Sequence, residues 1–194
     1  MKSLLISLLL ISCQVQALDL SALVYQPQLK SQDENGDDER DPLSYGVSIG
    51  HQWAMAPKLL FAPRLSYIRH SEKSRDSYSD YKVQSYIVAL DALYLISETE
   101  PLYLRIGIGN FIKEIKGEGG TVTVPNGSGT TLAYRPSGKS TTQTATVNLG
   151  IDWKFDLWGS MEKNYGTSLS LMFTQPTDSR KTYLSYLLHL TYYL

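Results

Sequence analysis

Six ionisable side chains in this sequence occupy positions on the polar side of segments that are otherwise strongly apolar. They are Arg64, Asp91, Arg105, Asp152, Lys154 and His189. When such groups share one interior compartment they pair with one another, because an isolated buried charge is costly. We interpret the set first as a charge network that fills an interior. The alternative is a path for protons or ions.

A second candidate is the acidic segment 33–41, which reads DENGDDERD. Asp33, Asn35 and Asp37 place oxygen ligands at alternate positions beside a glycine, which suits a hard cation such as Ca²⁺. The remainder of an EF-hand spacing is missing, and acidic surface loops are commonly just solvated. Metal binding is therefore the weaker interpretation of this segment.

A third candidate is the sequence His70-Ser71-Glu72, which suggests the base and nucleophile of a hydrolase. Neighbouring side chains on a strand point to opposite faces, so His70 and Ser71 would not meet. We therefore expect no catalytic residue here, no enzymatic activity and no cofactor.

These candidates must be positioned by strands, and the clearest strand is the segment 144–157, TATVNLGIDWKFDL. Its odd positions are all apolar and its even positions are all polar or glycine. Side chains alternate faces along a strand, so one face is apolar and the other polar. This length exceeds that of most soluble strands and suits a tilted membrane-spanning one. It predicts Leu149 facing lipid and Asn148 facing an interior, although a soluble sandwich with one solvated face remains an alternative.

Eight segments with strand character follow one another along the chain. They are residues 20–30, 43–55, 59–70, 81–96, 102–112, 144–157, 165–174 and 182–194. Connections are short after the second, fourth and sixth strands and longer and polar after the others, as in outer-membrane barrels. The longest connection, 113–143, contains a predicted hairpin over 121–135 around a Pro-Asn-Gly-Ser-Gly turn.

Aromatic residues gather near both ends of these strands. On the short-turn side they are Trp53, Phe61, Tyr94, Trp153, Phe155, Trp158, Tyr165 and Tyr192, and on the other side Tyr45, Tyr67, Tyr81, Phe173 and Tyr183. Two such girdles are expected where strands cross both headgroup layers of a membrane, and a sandwich has no need of them. The sequence therefore predicts an all-β, eight-stranded antiparallel up-and-down transmembrane β-barrel.

The N-terminus has the composition of a secretory signal. Lys2 precedes the apolar run 3–13, and the small residues Val15 and Ala17 predict cleavage before Leu18. We expect a signal peptide over 1–17 and a barrel domain over 18–194; a lipoprotein signal at Cys13 is the weaker alternative. The 18 basic and 19 acidic residues give no reason to expect nucleic-acid binding.

On these features the chain resembles the small eight-stranded outer-membrane β-barrels, the group that contains the OmpA membrane domain, OmpX and OmpW. The resemblance covers 18–194 and rests on pattern. It implies a monomer in the bacterial outer membrane with both termini periplasmic. It also implies contacts with outer-membrane lipid and lipopolysaccharide, and insertion by the barrel assembly machinery. Proteins of this group typically end in an aromatic residue; here Tyr192 holds an alternate position and the last residue is Leu194.

Members of this group have several activities, so the fold alone does not name one. We expect a non-enzymatic surface protein whose extracellular loops mediate envelope stability or contact with a surface ligand that the sequence does not identify. The alternative is a narrow channel for small solutes. A lipid A-modifying enzyme is weaker still, because the His and Ser two positions apart that the deacylases of this fold use are missing at His70.

Overall fold

The computed structural model describes residues 17–27, 30–32, 38–40, 43–70, 81–126, 129–134, 137–155, 165–175 and 183–194. The predicted signal segment before Ala17, the candidate metal ligands Asp33, Asn35 and Asp37, the residues Ser71 and Glu72, and Trp158 lie outside these ranges. Within them, no helix is long and apolar enough to cross a membrane.

Eight strands form a closed barrel. They are β1 (Ala17–Pro27), β4 (Ser44–Ala56), β5 (Leu59–Arg69), β6 (Tyr81–Ser97), β7 (Leu102–Glu118), β10 (Ser137–Phe155), β11 (Tyr165–Gln175) and β12 (Tyr183–Tyr193). Their order around the barrel is β1-β12-β11-β10-β7-β6-β5-β4, and each neighbouring pair is antiparallel. The predicted fold class, an up-and-down antiparallel barrel of eight strands, is confirmed.

Two small two-stranded sheets lie in the connections. The strands β2 (Lys30–Gln32) and β3 (Asp38–Arg40) pair after β1, and β8 (Thr121–Asn126) pairs with β9 (Gly129–Tyr134) between β7 and β10. The latter pair is the predicted hairpin, which is confirmed. Gly119 and Gly120 precede it with φ of 72° and 97°, a backbone conformation that favours glycine, and they turn the chain out of β7.

Side-chain alternation divides the barrel wall into an inward and an outward face. In β10 Leu149 is 41% exposed and faces outward, whereas Asn148 is 7% exposed and faces the lumen. The same alternation leaves a belt of large apolar side chains exposed around the barrel, including Val47, Ile106 and Leu169. An exposed apolar belt of this kind suits lipid rather than water.

The two rims of the barrel differ. The tight connections after β4 and β6 lie at one rim, which we call the short-turn rim, and the opposite one is the loop-side rim. Beyond Arg69, the last paired residue of β5, three strands continue together past the loop-side rim: residues 81–83 of β6, 115–118 of β7 and 137–140 of β10. We call this three-stranded extension the blade.

The blade corrects the prediction that 113–143 is a connection. The strand β7 runs on to Glu118 and β10 begins at Ser137, and these two residues are paired. The sequence of β10 in this stretch is an unbroken run of polar residues and glycine, with no alternation to mark a strand. These residues pair through backbone hydrogen bonds with β7 alone and are exposed on both faces, so no apolar face is required.

Candidate functional site

The candidate site is the barrel lumen, and the strand alternation brings all six predicted charged residues into it. Arg64 comes from β5, Asp91 from β6 and Arg105 from β7. Asp152 and Lys154 come from β10, and His189 comes from β12. Because these positions share the inward parity of their strands, their side chains meet although the residues are far apart in sequence.

Arg105 is the centre of this layer. Its guanidinium is 1% exposed and forms ion pairs with Asp91 and with Asp152. Its Nε donates a hydrogen bond of 2.8 Å to Asp152 Oδ1, and Asn148 Nδ2 donates one of 3.3 Å to Asp91 Oδ1. Two carboxylates thus surround one cation, the arrangement in which a buried arginine is satisfied through several donors at once.

Gly107 makes room for the Asp91 carboxylate. It lies directly opposite Asp91 in the register between β6 and β7. A Cβ at this position would overlap Asp91 Oδ1 and would lie 2.8 Å from the carbonyl oxygen of Leu90. The absence of a side chain at Gly107 therefore permits the contact between Asp91 and Arg105.

Arg64 and His189 form the second contact of the layer. Arg64 Nη1 lies 3.2 Å from His189 Nε2, and Ser168 Oγ lies 3.2 Å from His189 Nδ1. Arg64 Nη1 also lies 3.4 Å from His189 Nδ1, so this nitrogen faces both ring nitrogens. Arginine has donors only, so the imidazole accepts from Arg64 as the neutral ring.

Lys154 occupies the lumen nearer the short-turn rim. Its Nζ donates to Gln52 Oε1 at 2.7 Å and lies 5.1 Å and 4.5 Å from the ring centroids of Tyr103 and Tyr193. Gln52 Nε2 in turn donates to Asp19 Oδ2 at 3.2 Å. The amine is therefore held by one amide and two aromatic faces.

Asp19 and Gln52 belong to this network and were missed by the sequence prediction. Asp19 precedes the predicted first strand, which was started at Leu20, whereas β1 begins at Ala17. Gln52 was on the polar face of its strand but carries no charge. The signal that marks Asp19 is its position between Leu18 and Leu20, which alternate with it across the wall.

The loop-side half of the lumen contains an apolar cluster beside a few buried hydroxyls, such as those of Ser85 and Ser185. Its inward-facing cluster consists of Leu23, Tyr25, Ile68, Ile87, Ala89, Phe111, Met172 and Leu187. Ile68 and Met172 are fully buried, and the rings of Tyr25 and Phe111 stack at 6.0 Å. The predicted charged residues therefore lie in the short-turn half of the lumen, and apolar side chains pack against one another in the loop-side half.

A cavity of about 20 Å³ lies where the charged and apolar layers meet. Arg64, Asp91, Arg105 and His189 line its polar side, and Ile87 and Met172 line its apolar side. This volume admits about one water molecule. The described side chains therefore fill the lumen at this level.

His70 closes the loop-side rim just past the end of β5. Its Nδ1 lies 3.1 Å from Ser44 Oγ, its Nε2 lies 2.7 Å from Ser85 Oγ, and its ring meets Tyr25 edge-on at 5.6 Å. Burial, and next the charge of Lys113, lower the pKa of His70 to about 4. The imidazole is therefore neutral at pH 7 and bridges two serine hydroxyls.

The predicted interfacial aromatics form close pairs on the outward face. Near the short-turn rim Trp53 stacks on Phe61 at 5.6 Å, and the pairs Trp153–Phe155 and Tyr165–Tyr192 lie at 5.1 Å and 5.2 Å. Near the loop-side rim Tyr67 meets Tyr86 at 5.5 Å. Tyr45 and Tyr94 are also exposed, and Phe173 pairs with Val147 on the outward face.

No group of three or more His, Cys, Asp or Glu side chains that could hold a metal ion occurs in the described ranges. His51, the remaining histidine, lies 4.9 Å from the Trp53 ring.

Comparison with solved structures places this geometry in a known fold. The crystal structure of Ail, the attachment invasion locus protein of Yersinia pestis, matches with a TM-score of 0.54 at 11% identity, over 92% of this chain and 97% of Ail. Ail in complex with the heparin analogue sucrose octasulfate matches with a TM-score of 0.53 at 13% identity, over the same shares. Neisserial surface protein A has a TM-score of 0.49 at 12% identity, over 92% of this chain and 96% of that protein.

No family model matches the sequence, and no curated protein matches it either. The structures of Ail therefore carry the comparison, and at such low identity they show the fold alone. The chain has the architecture of the small eight-stranded outer-membrane β-barrels, and the predicted resemblance is confirmed at the level of fold.

Proposed function

We propose that this protein is a sealed, non-enzymatic β-barrel of the bacterial outer membrane that acts through its loop-side surface. The observation that carries the proposal is the filled lumen. A charged layer around Arg105 and an apolar layer around Ile68 and Met172 lie one above the other inside the barrel. A barrel whose lumen is filled by a charged layer and an apolar layer does not conduct solutes. We therefore assign its function to the surface that it exposes outside the membrane.

The outward face supports insertion in a membrane. The outward positions of β7 from Leu102 to Ile112 are apolar except for Asn110. They cover eleven residues, about 33 Å along the strand, which at a tilt of about 40° corresponds roughly to the 25 Å apolar band of outer-membrane barrels. Aromatic pairs flank this band at both rims. In the proposed orientation the short-turn rim and both termini are periplasmic.

The blade supports a role at the cell surface. At about 3.3 Å per residue, the part of β10 that precedes its first pair with β11 extends roughly 25 Å, and the hairpin β8–β9 follows its partner β7. This ribbon is exposed from Ser137 to Gln143. The attachment named in the description of Ail, which shares the fold, agrees with a contact role for such a projection.

The surroundings of His70 support a non-enzymatic role. The serines in contact with it, Ser44 and Ser85, are 1% and 0% exposed. A nucleophile must reach its substrate, and these hydroxyls are covered by the barrel wall and the apolar layer. The His70 contacts are therefore assigned to stability of the rim.

Conductance in planar bilayers tests the sealed lumen against the alternative of a narrow channel. The purified protein, reconstituted in the closed form, should give no steady conductance. A stable open state in the wild-type protein would contradict the sealed barrel and support the channel. Adhesion of cells displaying the protein, compared with cells displaying a barrel without the hairpin, tests the surface role.

A further inference from the structure

A groove of about 350 Å³ lies on the outward face of the barrel wall, over β5. Pro63 and Leu65 of β5 line it, and the outward side chains that border it come from the strands on either side. These bordering residues are Leu18, Ile49, His51, Val88 and Leu90. Clefts that bind small ligands have volumes of about 300–1,000 Å³, so this groove is large enough to hold part of a ligand.

Pro63 explains why the wall is indented here. Proline has no N–H to donate to a neighbouring strand, and its short ring leaves space between longer side chains. In the register of β4 with β5, Gly50 pairs with Arg64, and the next pair toward the short-turn rim is Trp53 with Phe61. Gly50 has no side chain and yet lines the groove. The bottom of the groove is therefore the backbone of the wall itself.

The groove extends from the aromatic girdle into the apolar belt. Phe61, which stacks on Trp53 in the short-turn girdle, lies two residues before Pro63 on β5. Such rings lie at the level of lipid headgroups. Leu65 lies two residues after Pro63 and is 50% exposed on the outward face. A chain in the groove would thus have one end at the headgroups and the other in the hydrocarbon.

The outward side chains that line the groove are apolar with the exception of His51. The His51 ring lies 4.9 Å from Trp53, at the headgroup end of the groove. An imidazole N–H at this level can donate a hydrogen bond to a phosphate or ester oxygen. Arg64 also lines the groove, but its guanidinium contacts His189 in the lumen. The lining therefore matches a molecule with a hydrocarbon chain and oxygen acceptors at one end.

We propose that this groove binds one acyl chain of a phospholipid of the periplasmic leaflet, with the ester and phosphate oxygens of that lipid at His51. The groove is continuous with the apolar belt, so a component of the bilayer reaches it without crossing water. In the proposed orientation the short-turn rim is periplasmic, which places the headgroup end of the groove in the periplasmic leaflet. The inference rests on the proposed insertion in the outer membrane.

Native mass spectrometry of the folded barrel in a neutral detergent tests the site. The probes are dipalmitoyl phosphatidylethanolamine and glycerophosphoethanolamine, which is the same headgroup without acyl chains. The wild-type protein should form a one-to-one complex with the phospholipid and none with the headgroup alone. Stepwise binding of several phospholipids with equal affinity would overturn the proposal, because a uniform lipid-facing surface gives that pattern.

A substitution that narrows the groove locates the site. By the usual cost of inserting a larger side chain into a filled site, Leu65→Trp should weaken phospholipid binding at least about fivefold. The matched control is Leu169→Trp on β11, four strands away around the barrel, where the leucine is 57% exposed on the same outward face. Its affinity should equal that of the wild-type protein, and equal affinities in the two variants would overturn the site.

The shift in gel mobility on boiling verifies that each variant is a closed barrel. If Leu65→Trp does not fold, Val88→Trp narrows the same groove from β6 and makes the same test.

A second substitution tests the headgroup contact. His51→Phe keeps a ring beside Trp53 but removes the hydrogen-bond donor. The net loss of one hydrogen bond should weaken phospholipid binding about fivefold. An unchanged affinity would overturn the placement of the headgroup at this end of the groove.

A second copy of this chain and lipid A, a lipid of the opposite leaflet, are the competing occupants. A dimer that Leu65→Trp abolishes would assign the groove to a second copy. Lipid A that binds more tightly than the phospholipid, and is lost in Leu65→Trp, would assign the groove to the outer leaflet. Either result overturns the proposal. A protein that is not membrane-inserted would refute the proposed function, whereas an inserted barrel that retains no phospholipid refutes the groove site only.

Discussion

Arg105 forms ion pairs with two carboxylates, so replacing one carboxylate should destabilise the barrel less than replacing the arginine. In Asp91→Asn the guanidinium keeps Asp152 and the amide replaces one acceptor, so the loss of stability should be small, about 1 kcal/mol. Arg105→Met leaves Asp91 and Asp152 buried without their shared cation, and should cost on the order of 3–5 kcal/mol. Urea unfolding of the refolded barrel measures both values.

The decisive comparison is the variant that combines Arg105→Met with Asp91→Asn and Asp152→Asn. Removing the uncompensated charges should recover part of the stability lost in Arg105→Met, because neutral amides are less costly to bury than carboxylates. If the urea midpoint of unfolding is the same for Arg105→Met and for the wild-type protein, the charged layer does not stabilise the barrel.

His70 should make the barrel less stable in acid. Its pKa is about 4 in the folded protein and near 6.5 when exposed, so the unfolded chain binds more protons between these values. The contribution of the neutral imidazole is therefore present above about pH 6.5 and is lost as the pH falls toward 4. Unfolding midpoints at pH 7.5 and pH 5 measure this loss.

Two variants isolate the effect of His70 from that of other titrating groups. In His70→Gln the difference between the two midpoints should be smaller than in the wild-type protein, since Gln does not titrate. His70→Asn, which likewise carries no titrating group at this position, should show the same smaller difference. An identical pH dependence in His70→Gln and the wild-type protein would contradict the assignment.

At the scale of residues, the sequence identified lumen residues where a charged side chain interrupts an apolar pattern. It did not identify the uncharged ones. Asp91, Arg105 and Asp152 could be assigned to one compartment because they lie on the inward face of their strands, where an unpaired charge is costly. The hydrogen-bond partners Gln52 and Asn148 carry no charge, so the sequence did not single them out as members of the network. Strand parity did predict that Asn148 faces the lumen. Which carboxylate meets which cation depends on the register between β6, β7 and β10, which pattern alone does not fix.

The loss of stability caused by an outward-facing arginine should depend on how deep in the apolar belt the arginine lies. Leu149 lies in the middle of the outward face of β10, so Leu149→Arg should cost on the order of 2–4 kcal/mol. The matched control is Thr141→Arg, on the same face of the same strand but beyond the belt, with a cost of about 0–1 kcal/mol. Refolding titrations into lipid vesicles compare them, and equal tolerance would contradict the membrane-facing assignment.

The hairpin β8–β9 should be separable from the barrel. Glu118 and Ser137 are paired, so residues 119–136 can be replaced by Asn-Gly, which closes a two-residue turn between them. This variant should keep the barrel and its shift in gel mobility on boiling, while adhesion of cells that display it falls to the level of cells without the protein. If cells that display the shortened protein adhere as well as cells that display the wild-type protein, the hairpin is not needed for adhesion.

At the scale of elements, six of the eight barrel strands were predicted within three residues of their observed bounds. The errors were confined to β7 and β10, where the polar blade lacks the alternation that marks a half-buried strand. The imperfect alternation in β1 also has a physical reason. Leu23 and Tyr25 face the apolar half of the lumen while Leu18 and Leu20 face outward, so both sides of that strand are apolar.

The whole molecule should behave as a closed barrel in the outer membrane. Every barrel strand has two paired neighbours below the blade, so the barrel wall offers no edge at which detergent or another chain could open it. The unheated protein should therefore migrate differently from the boiled protein in SDS gels, and cell fractionation should recover it with the outer membrane. Recovery in the soluble periplasmic fraction without a mobility shift would refute the membrane assignment.

Whole-molecule features were the most predictable, because strand number, loop alternation and aromatic girdles each follow from the geometry of crossing a bilayer. Function was the least predictable. The blade depends on the register between strands that are joined by the least patterned part of the chain. Only the folded arrangement shows that Lys82, Lys116 and Lys139 are neighbours.

The pairing of β1 with β12 has a kinetic consequence. Asp19 is paired with Tyr193, so closing the wall joins segments separated by almost the whole barrel sequence. Contacts this distant in sequence are slow to form, because the entropy of a long loop is lost before the pairing compensates for it. Until that step β1 and β12 are exposed edges that another chain could pair with, which makes the unclosed sheet vulnerable to aggregation. The time that the nascent sheet spends open therefore depends on when its last strand becomes available.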